Sequence, residues 1–211
     1  MGQIKLMILG CQKEWLANRK KGLGGSDIAA VLGLNPWMSN TELWEYKTGR
    51  KEPRDLSGNE LVQYGHDAEP LLRDLFALDH PEYTVGYVEN NSFTNTDYPW
   101  AVASLDGWLT DREGRRGILE IKTTQKKWEK DKIPDNYFCQ VLFYMAVYEA
   151  DFAIVKCQYK WDIDGEVFAY TSHYKIERKD VQQDIEYLMR KGSEFWELVK
   201  RDERPALTLN I

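Results

Sequence analysis

The sequence Gly117-Ile118-Leu119-Glu120-Ile121-Lys122-Thr123-Thr124 decides the fold class that we expect for this chain. Apolar Leu119 and Ile121 alternate with charged Glu120 and Lys122, which is the period of a β-strand with one buried face and one polar face. Glu120 and Lys122 therefore leave the strand on the same side. A carboxylate and an ammonium group that share a polar face are candidates for a chemical site.

A second carboxylate is expected beside this strand. The polar residues from 111 to 116 predict a turn, so the strand pairs as a β-hairpin with the run from Ala101 to Leu105 that Asp106 closes. Asp106 then lies near Glu120. Two adjacent carboxylates repel each other unless a cation lies between them, and hard oxygen ligands suit Mg²⁺ or Mn²⁺. On the hairpin alone, a surface turn with solvated charges is the alternative.

Two further motifs accompany the hairpin. Gln140-Val141-Leu142-Phe143-Tyr144 is apolar and helical in character, and Gln140 and Tyr144 share a face because they are four residues apart. Upstream, the stretch from Arg19 to Gly33 contains Gly24-Gly25-Ser26-Asp27, a flexible turn followed by a helix that we expect to begin near Ser26. Backbone N–H groups there, the Ser26 hydroxyl and the Arg19 cation can bind a phosphate. An ordinary capped helix and a buried helix with a satisfied amide are the alternatives.

Together these motifs resemble a known nuclease superfamily. The Asp106 and Glu120-x-Lys122 hairpin resembles the PD-(D/E)xK signature, and the Q-x-x-x-Y helix resembles the third motif of its RecB-type branch. The stretch from Arg19 to Gly33 looks like the opening motif of the YqaJ-type viral recombinases, the family of phage lambda exonuclease. The resemblance runs from Arg19 to Tyr144, over half of the chain. Leu105 stands where the superfamily has the proline that names it, and this proline is not a ligand.

The resemblance implies a fold and a set of site residues. The fold is α/β, a restriction-endonuclease-like central mixed β-sheet flanked by helices, and we expect one domain over residues 1–211. The implied roles are metal binding by Asp106, Glu120 and the Ile121 carbonyl, assistance to the attacking water by Lys122, support by Gln140 and Tyr144, a second metal at Glu69, and 5′-phosphate binding by Arg19 and Ser26. For Glu69, a solvent-facing helix acid is the alternative.

The resemblance also implies an activity and partners. We expect a Mg²⁺-dependent exodeoxyribonuclease that digests one strand of linear double-stranded DNA in the 5′→3′ direction, with Mn²⁺ as a possible substitute metal. The implied partners are double-stranded DNA ends, a single-strand annealing protein and two further copies in a trimeric ring. An endonuclease or RNase of the same chemistry and a DNA-binding module without catalysis are the alternatives.

Composition is consistent with a folded intracellular protein. The chain has 211 residues, 43% of them hydrophobic, which is enough for one real core. The formal charge of −6 excludes a uniformly basic coat, but basic residues cluster at 19–21, at 115–116 and from 122 to 132. Three scattered cysteines favour a reducing compartment. With no apolar stretch of membrane-spanning length, we expect the cytoplasm of a bacterial host cell and a phage or prophage origin.

The remaining elements follow from periodicity. Apolar residues at helical spacing predict a long amphipathic helix from Glu60 to Leu78 and a final helix from 180 to 200. Residues 152–159 and 166–174 predict a strand pair across the turn 162–165. The polar residues from 48 to 57 predict a mobile loop near the DNA.

Overall fold

The computed structural model describes residues 2–52, 55–129 and 132–209. The predicted loop from 48 to 57 includes Pro53 and Arg54, and the basic run from 122 to 132 includes Lys130 and Asp131. Those four positions lie outside the described residues.

The described residues form six helices and nine strands. The helices are α1 Gln12–Arg19, α2 Gly25–Val31, α3 Asn40–Lys47, α4 Glu60–Asp79, α5 Asp135–Tyr148 and α6 Arg178–Lys200. The strands are β1 Ile4–Ile8, β2 Leu23–Gly24, β3 Thr84–Gly86, β4 Asn91–Asn95, β5 Tyr98–Ala103, β6 Gly107–Thr110, β7 Arg116–Thr124, β8 Phe152–Ile163 and β9 Glu166–Glu177. The long amphipathic helix, the final helix and the β8–β9 hairpin are confirmed, and both hairpin strands extend beyond the predicted bounds.

The strands form two mixed sheets. The larger sheet has the order β3-β6-β7-β8-β9, and the smaller has the order β1-β4-β5-β2. In the larger sheet β7 and β8 are parallel, and α5 makes the crossover between them, because parallel neighbours cannot be joined by a tight turn. β6 and β7 are antiparallel. This arrangement places β7 in the middle of the larger sheet.

Helices cover both faces of the larger sheet. Residues Val141 to Val147 of α5 are all buried, as expected for a helix that is apolar on every side, and they pack with Ile118 and Val155 on one face. On the other face Leu72 and Phe76 of α4 pack with Leu119 and Ile121 of β7. Each fully buried side chain of this size contributes about 1.5–3 kcal/mol of burial free energy. The central strand is therefore held rigidly from both sides.

The switch between the two sheets occurs at Asp106. The run from 101 to 105 was predicted to be the first arm of the hairpin, but β5 ends at Ala103 and belongs to the smaller sheet. The chain then crosses over and enters the larger sheet as β6, which begins at Gly107. Asp106 lies in the short irregular segment between the two sheets. The hairpin partner of β7 is thus β6, and the expected pairing is wrong in its first arm.

The structure describes all three cysteines. Cys139 and Cys157 are buried and Cys11 is exposed, and all three thiols are free. Within the described part of the chain, no helix is both long and apolar enough to cross a lipid bilayer.

Candidate active site

The β6–β7 hairpin brings the two predicted carboxylates together. Gly107 pairs with Leu119, so Asp106 lies one residue beyond the ladder, opposite Glu120. The connecting turn is closed by Asp111, whose Oδ1 accepts a hydrogen bond from Arg115 N at 2.9 Å. Asp106 Oδ2 accepts the Ile121 N–H at 2.8 Å. A hydrogen-bonded residue of a strand directs its N–H and C=O to the same edge, so the Ile121 carbonyl is aimed toward Asp106 as well.

Asn91 fixes the segment that carries Asp106. Its side chain is buried, its Oδ1 accepts the Leu105 N–H at 2.8 Å, and its Nδ2 donates to the Leu105 carbonyl at 2.9 Å. The Asn91 amide thus makes the two backbone hydrogen bonds that a neighbouring strand would otherwise make with Leu105. A proline at 105 has no N–H to donate. The departure from the superfamily proline is thus matched by a hydrogen bond that proline cannot make.

Arg73 is a site residue that sequence reasoning missed. Its side chain is buried in α4, its Nη1 donates to Glu69 Oε1 at 3.0 Å, and the same atom donates to the Asp106 backbone carbonyl. Its guanidinium lies 3.4 Å from the centroid of the Tyr87 ring. The spacing of four residues from Glu69 was the available sequence signal. Glu69 is therefore turned toward Asp106 and paired with a cation of its own helix.

Glu120 is the centre of a buried hydrogen-bonded cluster. Its Oε1 accepts from Lys122 Nζ at 2.6 Å and from Gln140 Nε2 at 2.7 Å. Gln140 Nε2 also lies 3.3 Å from the Tyr144 hydroxyl, so the predicted Q-x-x-x-Y face is directed at the hairpin. Gln140 was expected to support the site, and the group that it contacts is the Glu120 carboxylate.

The polar face of β7 is not solvated. Glu120 is 1% exposed, because α5 covers this side of the strand, and the Lys122 side chain is 19% exposed. The expectation of an open polar face is therefore wrong, and the surface-hairpin alternative is excluded. Charges at these positions are sheltered from water, which strengthens their interactions and raises the cost of removing one partner.

Burial and mutual repulsion act on the titration of the carboxylates. Burial first, and then the charges of Glu120 and Glu69, raise the pKa of Asp106 well above its ordinary value. Burial also raises the pKa of Glu120, against the opposing effect of Lys122. Burial disfavours the Lys122 ammonium, but Glu120 and Asp106 outweigh it and raise the pKa of Lys122. The cluster therefore has an excess of buried negative charge that a cation can neutralise.

The donor set fits a hard divalent cation. Among residues 2–52, 55–129 and 132–209, no three His, Cys, Asp or Glu side chains are grouped as an all-protein metal site requires. Asp106 and Glu120 with the Ile121 carbonyl supply a small oxygen set. Mg²⁺ is commonly bound in this way, through one or two carboxylates with water and substrate phosphate as the other ligands. The geometry therefore fits Mg²⁺ better than Zn²⁺, which favours N and S ligands.

A second cluster surrounds Arg19 and Ser26. Arg19 Nη2 donates to Ser26 Oγ at 2.6 Å, and both side chains are accessible to solvent. The expected helix start near Ser26 is confirmed to within one residue, because α2 begins at Gly25, and its N-cap is Gly24, whose N–H donates to Asp27 Oδ2 at 2.8 Å. Ser26 therefore does not cap the helix, and its exposed hydroxyl is bound by Arg19.

A buried ion pair between Asp27 and Lys47 lies beside this second cluster and contacts it. Lys47 Nζ lies 2.7 Å from Asp27 Oδ2, with side chains 8% and 11% exposed, and it also donates to the Arg19 carbonyl. Burial opposes ionisation of Asp27, but Lys47 and Arg19 outweigh it and lower the pKa. Sequence reasoning missed both roles, because the ion pair joins residues twenty positions apart that only the packing of α3 against α2 brings together.

The two clusters are in direct contact. A Cβ added to Gly25 would lie 2.4 Å from Tyr144 Cε1 and 3.0 Å from Gln140 Cγ, closer than such atoms approach. Glycine at 25 therefore lets the Arg19 turn pack onto the helix face that binds Glu120. The structure brings the Asp106, Glu120, Lys122, Gln140 and Tyr144 cluster beside the Arg19 and Ser26 cluster.

The mixed sheet with this hairpin between two helices is the restriction-endonuclease-like architecture, as expected. An alkaline exonuclease, LHK-Exo, from Laribacter hongkongensis has the same fold, with a TM-score of 0.59 at 19% identity over 90% of this chain and 94% of that one. A phage-related exonuclease from Haemophilus somnus 129PT gives a TM-score of 0.51 at 11% identity over 86% of this chain and 96% of that one.

Sequence comparison defines the family more closely. The YqaJ-like viral recombinase domain matches residues 14–151, and protein YqaJ of Bacillus subtilis strain 168 is 33% identical over an alignment of 201 residues that covers 92% of this chain. The chain spans 58% of the length of that relative. The chain therefore belongs to the YqaJ-like viral recombinase domain family, as its motifs indicated.

Proposed function

We propose that this chain is a Mg²⁺-dependent deoxyribonuclease that digests one strand of linear double-stranded DNA in the 5′→3′ direction. The observation that carries the proposal is the pair formed by half-buried Asp106 and buried Glu120, with Lys122 bound to Glu120 at 2.6 Å. Membership of a viral recombinase family and a fold shared with exonucleases support it. LHK-Exo has also been crystallised in complex with dAMP, a nucleotide of the kind that stepwise DNA hydrolysis releases.

Each residue of the hairpin has a defined role in this proposal. Asp106, Glu120 and the Ile121 carbonyl bind Mg²⁺, for which Mn²⁺ can substitute. When bound there, the cation would supply Lewis-acid chemistry that activates water and offsets charge on the phosphate. Gln140 donates to Glu120 and fixes its rotamer, with the Tyr144 hydroxyl behind it. Glu69 is a candidate ligand for a second metal, once released from Arg73.

Lys122 acts through its charge. Its ion pair with Glu120 holds the ammonium beside the reacting phosphate, and the two N–H groups not used by Glu120 can donate to the attacking water or to a phosphate oxygen. A donor aimed at charge that develops in the transition state is worth several kcal/mol in a water-excluded site. The water oxygen bonds to phosphorus, the bond from phosphorus to the 3′-oxygen breaks, and a 5′-mononucleotide leaves.

Arg19 and Ser26 bind the terminal 5′-phosphate. A phosphomonoester carries more negative charge than an internal diester, so a guanidinium fork and a hydroxyl can distinguish a DNA end from the duplex interior. The Gly25 turn packs on Gln140 and Tyr144, which puts this phosphate site beside the hydrolytic site. A strand held by its 5′ end is thereby cut near that end.

The wider assignments rest on family membership. We propose double-stranded DNA ends as the substrate, a single-strand annealing protein as the recombination partner, and a homo-oligomer, expected to be a trimeric ring, as the assembly. The cytoplasm of a bacterial host and a phage or prophage origin belong to the same proposal.

The test uses linear and closed-circular duplexes of one sequence, labelled at the 5′ or the 3′ end and incubated with Mg²⁺ or with EDTA. The expected result is hydrolysis of the linear DNA with Mg²⁺, early release of the 5′ label, and an intact circle. Cleavage of the circle would assign an endonuclease, and cleavage of RNA in preference to DNA would assign an RNase. Binding without metal-dependent hydrolysis would reduce the chain to a DNA-binding module.

A further inference from the structure

The β8–β9 hairpin carries an aromatic surface that the hydrolytic site does not use. In parallel register Lys122 lies beside Cys157 and Thr124 lies beside Tyr159, so β8 continues the face of the sheet that carries Glu120 and Lys122. On the antiparallel side, Tyr159 pairs with Tyr170 and Trp161 pairs with Phe168. Directly opposed residues share a face, so all four rings lie on the catalytic face of the sheet.

We call these four rings the aromatic platform, and three of them, Tyr159, Trp161 and Tyr170, are in contact with one another. The Tyr159 and Tyr170 rings stack at 4.9 Å with 25° between their planes, and Tyr159 and Trp161 stack at 6.2 Å with 17°. The Trp161 indole N–H donates to the carbonyl of Gln125, just past the catalytic strand. Tyr159 is buried beneath its neighbours, whereas Phe168 and Tyr170 are 45% and 42% exposed. The outer rings thus present faces to solvent on a rigid base.

The platform is continuous with the hydrolytic site. Lys122 Nζ lies 5.2 Å from the centroid of the Tyr137 ring, Tyr137 lies 5.7 Å from Trp128, and Trp128 lies 5.4 Å from Tyr174. Beside these rings is a cleft of about 380 Å³, a common size for a ligand site. Its lining includes exposed Lys127 together with Tyr159, Tyr170, Ser172 and Tyr174.

We infer that the aromatic platform and its cleft bind unpaired single-stranded DNA, with bases stacked on Tyr170 and Phe168 and a phosphate at Lys127. Stacked rings exposed on a sheet surface next to a cation are the elements with which proteins bind single strands without sequence preference. A duplex hides the faces of its bases, so the platform selects the unpaired strand. The acidic tip at Asp162, Asp164 and Glu166 repels phosphates and confines the strand to the Lys127 side.

The choice of ligand rests on the proposed function. Hydrolysis of one strand of a duplex leaves the other strand unpaired at the reacting end. A site on the same sheet face as Lys122 is suitably located to hold that strand and to keep it from re-pairing or obstructing the next duplex segment.

The test is binding of a fluorescein-labelled oligothymidine 20-mer and a 20-base-pair duplex in EDTA, where the proposed hydrolysis cannot proceed, followed by fluorescence anisotropy. The variants are Phe168→Leu with Tyr170→Leu, Lys127→Gln, and Tyr187→Leu as a matched control, since Tyr187 is 49% exposed on α6 away from the platform. Because the altered rings are exposed, folding is retained, which circular dichroism checks.

The double aromatic variant is expected to lose about tenfold or more of its single-strand affinity, since stacking on one aromatic ring changes affinity by about that factor. Its duplex affinity stays within about twofold. Lys127→Gln should make the slope of log affinity against log salt concentration shallower, by the amount that corresponds to the loss of roughly one phosphate contact. Tyr187→Leu should match the wild type in both single-strand and duplex affinity.

Absence of single-strand binding by the wild type, or equal affinity in the double variant, overturns the inference. A change of sedimentation coefficient in the double variant with single-strand affinity intact also overturns it, and assigns the platform to contact between copies. These binding results stand apart from catalysis, because a wild type that fails to hydrolyse DNA can still bind the single strand through the platform.

Discussion

Replacement of Lys122 by Met tests the ion pair at the centre of the proposed site. Methionine keeps the approximate volume of the side chain but removes the ammonium that lies 2.6 Å from Glu120 Oε1. The two side chains are 19% and 2% exposed, so this is a buried ion pair. Without Lys122, the carboxylates of Asp106 and Glu120 remain close together with less compensating positive charge.

The structure sets the expected magnitude. Breaking a buried pair by removing one partner costs about 3–5 kcal/mol, because the other charge stays buried. We therefore expect the metal-free Lys122→Met protein to lose about that much free energy of unfolding. Mg²⁺ should restore part of the loss, since a bound cation neutralises the same carboxylates, and ligation adds about 2.7 kcal/mol at a hundredfold excess over Kd. Hydrolysis with Mg²⁺ should fall by about 10²–10³-fold.

The assay is urea unfolding followed by circular dichroism, with EDTA or with Mg²⁺, together with initial rates on a linear duplex. Lys179→Met is the matched control, because Lys179 is exposed on α6, and it should change neither quantity. Adding Glu120→Gln to Lys122→Met should recover stability, because the excess charge is removed, while activity stays low. If Lys122→Met keeps both its stability and its hydrolysis rate, the ion pair is not the centre of the site.

Three further predictions concern other parts of the molecule. Arg19→Ala should erase most of a preference for 5′-phosphate over 5′-hydroxyl ends, about ten- to a hundredfold from one charge-assisted contact, and an unchanged ratio of initial rates would make Arg19 a surface charge. Asp27→Asn should lower the free energy of unfolding by about 3–5 kcal/mol, because Lys47 then lacks its buried partner. The folded pKa of Asp27 is lowered, so in the wild type the Asp27–Lys47 pair stabilises the fold above about pH 3.9, and this stabilisation is lost as the pH falls through the folded pKa. A urea unfolding midpoint that does not change on acidification would count against this role of the pair. Leu105→Pro should cost about 1–3 kcal/mol by leaving Asn91 Oδ1 without its donor, and equal thermal stability would show that this bond contributes little.

Local pattern was sufficient for much of the fold. The α4 helix was predicted almost to the residue, because its apolar stripe has a strong helical period. The division into two sheets could not be predicted in the same way. Residues 101 to 105 are apolar except for Ser104, and the break between β5 and β6 depends on the Asn91 side chain, fourteen residues upstream of Leu105. Such a contact leaves no periodic signal.

The site was predictable where chemistry imposes a motif. Asp106, Glu120 and Lys122 were identified from spacing and resemblance, and the hairpin register brings them together. Arg73 was missed because its role depends on a contact with Asp106, thirty-three residues away, that only the packing of α4 on the sheet creates. The burial of Glu120 was missed for a related reason, since an alternating strand does not reveal that a helix covers its polar side.

The most direct measurement of the central claim is release of acid-soluble nucleotide from a uniformly labelled linear duplex by the wild type and by Glu120→Gln, each with Mg²⁺. Glutamine keeps the shape of the side chain, and its amide oxygen can still accept from Lys122 and Gln140, so the variant should remain folded at the assay temperature despite its lower stability, which circular dichroism checks. We expect Mg²⁺-dependent release by the wild type and at least about a hundredfold less by Glu120→Gln. Equal release by the two proteins, or undiminished release in EDTA, would contradict it.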